Sequence, residues 1–426
     1  MPDFLRRIPF KGISKTIQDA FEITQYLGIR YLWVDSLCIV QDDKDDWNSE
    51  SALMAIVYGN SSINIAASGA EDGTIGCFFD RGEAWRCQVS ITIGEQSLLY
   101  DCVSNEMYRY NFADMPLGRR GWALQERLLP SRTLHFTTTQ ILWECHQKTT
   151  CEVFPDAFPS ALSSARVFFR KQPLTRPMWP WIVERYSRCK LTYCKDKLFA
   201  ISGLARNIQL QSKEQYVAGL WREDLELQLC WHKILDDEGP RYIPYTAPTW
   251  SWASIDGPID FYNRPKSLER EHLSIRILKV KVGSAGLDSL GAVTSGCLDV
   301  SCDFLLHAEI IEEGHRNAML LDNVLLNVLV YFDYLAIINT PLFVLPIIGV
   351  GGVDGIVGLL LQQTARKRGE YERIGMFVFR DLNGDLAEME AFEEVIENPR
   401  CHAKSSDYAR VRKDKHGRDH RIITLV

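Results

Sequence analysis

The stretch Arg30-Tyr-Leu-Trp-Val-Asp-Ser-Leu-Cys-Ile-Val-Gln-Asp-Asp43 decides the fold of the N-terminal part of this chain. Four strand-forming residues run into an acid, Asp35, which is followed at once by small and polar positions. The pattern predicts a buried strand over Tyr31 to Asp35 that delivers its last residue to a functional edge. Upstream, Ile17, Ala20, Phe21 and Thr24 recur at helical spacing, and Gly28 stands where a left-handed cap would end a helix starting near Thr16. Downstream, Trp47, Glu50, Met54, Val57 and Tyr58 form a second helical stripe, and Ser62-Ile-Asn-Ile-Ala-Ala67 reads as another strand. Helix, strand, helix, strand at this spacing predicts a parallel α/β sheet, in which ligands bind beyond the carboxyl ends of the strands. Asp35, Ser36 and Ser68 are expected there.

A length of 426 residues predicts two or three domains. Hydrophobic residues make up 46% and charged residues 24%, as in ordinary globular proteins, and the net charge of −7 with no long basic stripe argues against a nucleic-acid partner. Twelve cysteines follow no regular framework, and Met1-Pro-Asp-Phe-Leu-Arg-Arg lacks the apolar core of a signal peptide. Together they predict reduced thiols and a cytoplasmic location. Cys145-His146 with Cys151, and Cys189 with Cys194, do not form a paired Cys-x-x-Cys knuckle, so no metal is expected. The apolar region from Met319 to Leu361 is interrupted by Asp, Asn, Pro and Gly, which predicts strands and no membrane partner.

Residues 1–150 hold the α/β pattern, which ends with two short strands, Thr133-Leu-His-Phe136 and Gln140-Ile-Leu-Trp-Glu144, around a turn at Thr137-Thr-Thr139. Residues 151–245 read as helical: Trp181 to Tyr186, then Lys195 to Ala205, then a longer amphipathic helix from Tyr216 through Leu235 ended near Gly239-Pro240. Residues 246–426 read as β-rich, with Ile275-Arg-Ile-Leu-Lys-Val-Lys-Val282, Gly375-Met-Phe-Val-Phe379 and Arg421-Ile-Ile-Thr-Leu-Val426 as strands. Trp250 and Trp252 alternate like core residues on one face of a strand.

Read together, several segments resemble the fungal heterokaryon-incompatibility (HET) domain family. They are Thr16-Ile-Gln-Asp-Ala20, Leu27 through Asp43, Asp46-Trp-Asn-Ser-Glu50 with Met54 and Ile56-Val-Tyr58, Ile65-Ala-Ala67, and Arg120-Gly-Trp-Ala-Leu-Gln-Glu-Arg-Leu-Leu129. Beyond them, Asp196-Lys-Leu198, Gly219-Leu-Trp221, Pro248-Thr-Trp-Ser-Trp-Ala-Ser254 and Gly369-Glu-Tyr-Glu-Arg-Ile-Gly375 look like segments that follow this domain in many members. The resemblance implies non-self recognition leading to programmed cell death. It implies a domain distantly similar to the TIR fold, a flavodoxin-like sheet used for homotypic signalling assembly and, in some members, for hydrolysing NAD. Family members carry a strand with a Ser-Tyr-x-Trp-Gly-like segment ahead of the first helix, which Met1 to Ile13 does not supply. The expected sheet therefore lacks a central strand, as in a truncated gene model or a rearranged member.

In catalytic TIR domains a glutamate follows an aromatic residue by four positions, and Trp122 to Glu126 reproduces that spacing, which one helical turn would place on one face. The resemblance thus implies Glu126 as the catalytic carboxylate, with Trp122 as an apolar wall and NAD as substrate rather than bound cofactor. Cleavage of the bond between nicotinamide and ribose builds positive charge on the sugar, which a nearby anion stabilises. The plainer alternative pairs Glu126 with Arg119, Arg120 or Arg127. Asp35 and Ser36 are expected to bind substrate, or Asp35 to cap the next turn. Glu50 lies on the stripe that should face the sheet, either as hydrogen-bonded scaffold or as part of the site. Asp42, Asp43, Asp45 and Asp46 are expected to begin a helix rather than hold a cation. The alternatives to an enzyme are a non-catalytic module acting by homotypic assembly under an unknown protein trigger, and an inactive fragment.

Overall fold

The structure, a computed structural model, describes residues 7–81, 86–103, 115–156, 173–234, 244–262, 273–284, 288–313, 316–321, 324–334, 342–349, 355–379, 386–398, 400–413 and 419–426. The chain divides into two compact units. The first comprises Met1–Thr175 with Cys189–Leu191, the second Arg176–Arg188 with Thr192–Val426.

The first unit has mixed α/β content. Helix α1 (Lys15–Tyr26) ends as the sequence predicts, with Gly28 in the left-handed region at φ 69°. Its anchor is polar: Asp19 is fully buried, accepts the Cys77 backbone N–H at 2.7 Å and pairs with Lys15. Ile23 packs in the same small core with Cys77 and Phe136. Two further helices follow, α2 (Asp35–Cys38) and α3 (Lys44–Asn60). Asp43 caps α3 by accepting the Asp45 and Asp46 backbone N–H groups, and Asp46 accepts the Val40 N–H. The acidic run is therefore a helix start.

The sheet of this unit is small. Strand β1 (Asn64–Ala66) is followed in sequence by a separate hairpin of β2 (Arg86–Ile93) and β3 (Gln96–Val103), then by helix α4 (Gly121–Leu128) and strands β4 (Arg132–Phe136), β5 (Ile141–Cys145) and β6 (Thr149–Cys151). The sheet order is β1-β4-β5-β6, with only the β1/β4 pair parallel. The predicted strand over Tyr31 to Asp35 does not form. Residues 29–34 join no ladder, Tyr31 is 79% exposed, and Asp35 opens α2 instead of closing a strand. A strand needs a neighbour to satisfy its backbone groups, and among the described residues no strand pairs with this segment.

In the second unit the helices Trp179–Ser187 and Phe199–Ser212 agree with the sequence pattern, but the long helix expected from Tyr216 is absent. Its place is taken by β7 (Tyr216–Val217), β8 (Leu220–Trp221), a four-residue helix and β9 (Trp231–Lys233), which pairs with β10 (Ile259–Phe261). Ala218, Gly219 and Asp224 all have positive φ, which a helix cannot accommodate. The Gly219 carbonyl, turned inward, accepts the indole N–H groups of Trp179 and Trp252, each at 2.8 Å. Residues 235–243 lie outside the described ones. Trp250 and Trp252 are fully buried, as expected of core, but they sit in a turn and a 3-10 segment rather than on a strand. The remainder is a large, mostly antiparallel sheet of eleven described strands between residues 275 and 425. Arg373, fully buried, ties it to β9 by pairing with Asp333 at 3.1 Å, donating to the Leu229 and Trp231 carbonyls and lying 3.4 Å over the Trp231 ring. Among the described residues no helix is long and apolar enough to cross a membrane.

Candidate functional site

Helix α4 carries the residues on which the site is built. Its capping position is Arg120, and Trp122 and Glu126 lie on it one turn apart. The Gly121 N–H, one of the donors left open at a helix start, is satisfied by the Lys190 carbonyl at 2.9 Å, and the Lys190 N–H donates to the Arg119 carbonyl. On the opposite side of the helix, Arg127 makes a two-pronged ion pair with Glu144 on β5, one arm at 3.0 Å. Glu144 also meets His135 Nε2 at 3.0 Å, and His135 Nδ1 meets Ser68 Oγ at 2.9 Å. All four side chains are buried. Burial alone would raise the Glu144 carboxyl, but Arg127 and His135 outweigh it and hold the group well below the ordinary carboxylate range. Arg127 and the sheet thus fix the orientation of α4, and Ser68, expected at the ligand edge, belongs to this buried network instead.

With α4 held, Glu126 faces α2 and the end of α3. The Tyr58 hydroxyl lies beside the Glu126 carboxylate and favours its charged form, and the charges of Asp35 and Arg120 act on both groups. Burial, reinforced by Asp35, raises the Glu126 carboxyl to about 7, against the opposing effects of Arg120 and the Tyr58 hydroxyl. Burial, then the Glu126 and Asp35 charges, push the Tyr58 phenol well above its ordinary value, so it stays a neutral donor at physiological pH. Two edge-to-face aromatic contacts flank these polar groups, Trp47 with Trp122 at 6.4 Å and Trp33 with Tyr58 at 5.6 Å between centroids. Asp35 and Arg120 are exposed while Tyr58, Trp122 and Glu126 are half-buried, so the group grades from solvent to interior. The Asn64 side chain donates to the Glu126 carbonyl at 3.0 Å and joins this turn of α4 to β1.

Of the residues singled out from sequence, the structure brings Asp35 and Glu126 into electrostatic contact and puts Trp122 on the same helix as Glu126. Ser36 is exposed beside Asp35, its N–H donating to the Asp35 carboxylate at 2.7 Å. Glu50 is half-buried on α3, two turns before Tyr58. The plainer alternative is met in part: Arg127 belongs to Glu144, while Arg120 acts on Glu126 from the helix start. Sequence reasoning missed Tyr58 as a functional residue. Its eleven-residue separation from Trp47 is three helical turns, so both side chains lie on one face of α3, and that spacing was the available signal. Among the described residues no cluster of three or more His, Cys, Asp or Glu could hold a metal ion.

A family model described as heterokaryon incompatibility protein (HET) matches residues 5–126, from ahead of α1 to Glu126 itself. The resemblance drawn from the motifs holds for these residues. No curated protein and no solved structure matches the chain.

Proposed function

We propose that, in a chain carrying a HET domain over residues 5–126, Glu126 hydrolyses the N-glycosidic bond of NAD in a TIR-like site, as the effector step of fungal non-self recognition and cell death. The observation that carries this reading is the state of Glu126: a desolvated carboxyl raised to about 7, beside a neutral phenol and coupled to a second acid. In the reaction the bond from ribose C1′ to the nicotinamide nitrogen breaks, and its electron pair neutralises the pyridinium. Positive charge grows on the sugar, where the Glu126 carboxylate stabilises it. Water adds at C1′ and releases one proton, which Glu126 is poised to accept because its pKa lies near the working pH. Nicotinamide leaves without protonation, so a single carboxylate suffices where ordinary glycosidases use two. Asp35, exposed beside Glu126, suits the ribose hydroxyls, and the Trp122 and Trp47 rings offer an apolar wall to the base.

The test is nicotinamide release from NAD by purified protein at high concentration, wild type beside Glu126→Gln. Release abolished by the substitution supports the reading; release unchanged by it, or none from wild type, contradicts it. A second reading, non-catalytic homotypic assembly, is favoured by a different observation. The β2–β3 hairpin presents Val89, Ile91, Ile93, Leu98 and Tyr100 on one face, each at least 40% exposed.

A further inference from the structure

The hairpin of β2 and β3 is exposed at every residue from 87 to 100. Gly94, at φ 63°, opens its two-residue turn, as a hairpin of this hand requires. The register is regular throughout: Ile91 faces Leu98, Val89 faces Tyr100, and Cys87 faces Cys102. Alternation along each strand puts both cysteines on the face that carries the apolar residues. Cys87 and Cys102 are both exposed thiols, not cystine. Directly opposed residues of an antiparallel pair have Cα atoms ~4.5–5.5 Å apart, inside the range of ~4.4–6.8 Å that a disulfide spans.

We propose that Cys87 and Cys102 form a reversible dithiol–disulfide site that reacts with glutathione disulfide and clips the base of the hairpin. The thiolate of one cysteine attacks a sulfur of glutathione disulfide, forming a mixed disulfide and releasing one glutathione thiolate. The thiolate of the other then attacks the protein sulfur of that mixed disulfide and releases the second glutathione. The two cysteines are oxidised, glutathione disulfide is reduced to two glutathiones, and the protons of the two protein thiols pass to them. Two features favour this pair. Both residues are exposed, and the register already holds them opposite each other, so the second attack is intramolecular. Among the described residues no third strand joins this hairpin, and a two-stranded hairpin is marginally stable in water, so a covalent tie near its open end has a large effect on how long the register persists.

The test uses the full chain equilibrated in glutathione buffers of rising oxidised fraction, quenched by alkylation and mapped by mass spectrometry without reduction. The expected result is a joined peptide containing Cys87 and Cys102, two hydrogens lighter than the separate thiols, while Cys38, also exposed, stays alkylatable or carries glutathione. In Cys102→Ser the intermediate has no resolving thiol, so glutathione accumulates on Cys87. Wild-type protein that retains both thiols, or that accumulates glutathione on either without forming the joined peptide, overturns the proposal.

Discussion

At the scale of the residue, Glu126 and Tyr58 depend on each other and on Asp35, and the neighbours pull in opposite directions. The Tyr58 hydroxyl stabilises the charged form of Glu126 and Asp35 opposes it. Tyr58→Phe should therefore raise the Glu126 pKa above about 7, whereas Asp35→Asn should lower it. Carbon NMR of the labelled carboxyl follows this directly, and shifts of the same sign in both variants would refute the coupling. Glu126 also has a stability signature. Between 4.5, its ordinary value, and about 7 the folded chain keeps a proton that the unfolded chain has released. Raising the pH through that window therefore lowers stability. Glu126→Gln stays neutral at every pH. It should match wild type at about pH 4, below the window, and exceed it at about pH 8, by up to ~3 kcal/mol, because each pH step of one across the window is worth ~1.4 kcal/mol. Equal denaturant midpoints at both pH values would contradict this.

At the scale of the element, α4 is aimed by its buried face. The Arg127–Glu144 pair with His135 and Ser68 joins the helix to β4, β5 and the end of β1, so Glu126 cannot turn without breaking ionic bonds in the interior. Removing one member leaves a charge buried without its partner, and Glu144→Ala should cost ~3–5 kcal/mol in chemical unfolding. A loss below about 1 kcal/mol, typical of exposed pairs, would show that the network is solvated. Such a network spans distant parts of the sequence, and no local spacing announces it. What was legible was local: the helix cap at Gly28, the acidic start of α3, the four-residue step from Trp122 to Glu126, and the β4–β5 turn at Thr137. What failed depended on partners or on single backbone angles. Tyr31 to Val34 has strand composition but, among the described residues, pairs with no strand, and Tyr216 through Leu235 has helical periodicity that Ala218, Gly219 and Asp224 break by their positive φ.

At the scale of the molecule, the first unit is not contiguous in sequence. Cys189–Leu191 belongs to it although the flanking residues belong to the second unit, and the Lys190 carbonyl satisfies the first N–H of α4. A fragment of residues 1–150 lacks that acceptor, and its Gly121 amide should exchange with solvent faster than in the full chain. Equal protection in both would mean that α4 is ordered without the returning segment. Assays of the proposed chemistry accordingly need the whole chain. The most direct of them is the rate of nicotinamide release from NAD by the 426-residue chain across the pH range around Glu126's pKa of about 7. The rate should rise with pH through about 7, as Glu126 ionises, and should disappear in Glu126→Gln. A rate independent of pH across that range, or one that survives the substitution, would contradict catalysis by this carboxylate.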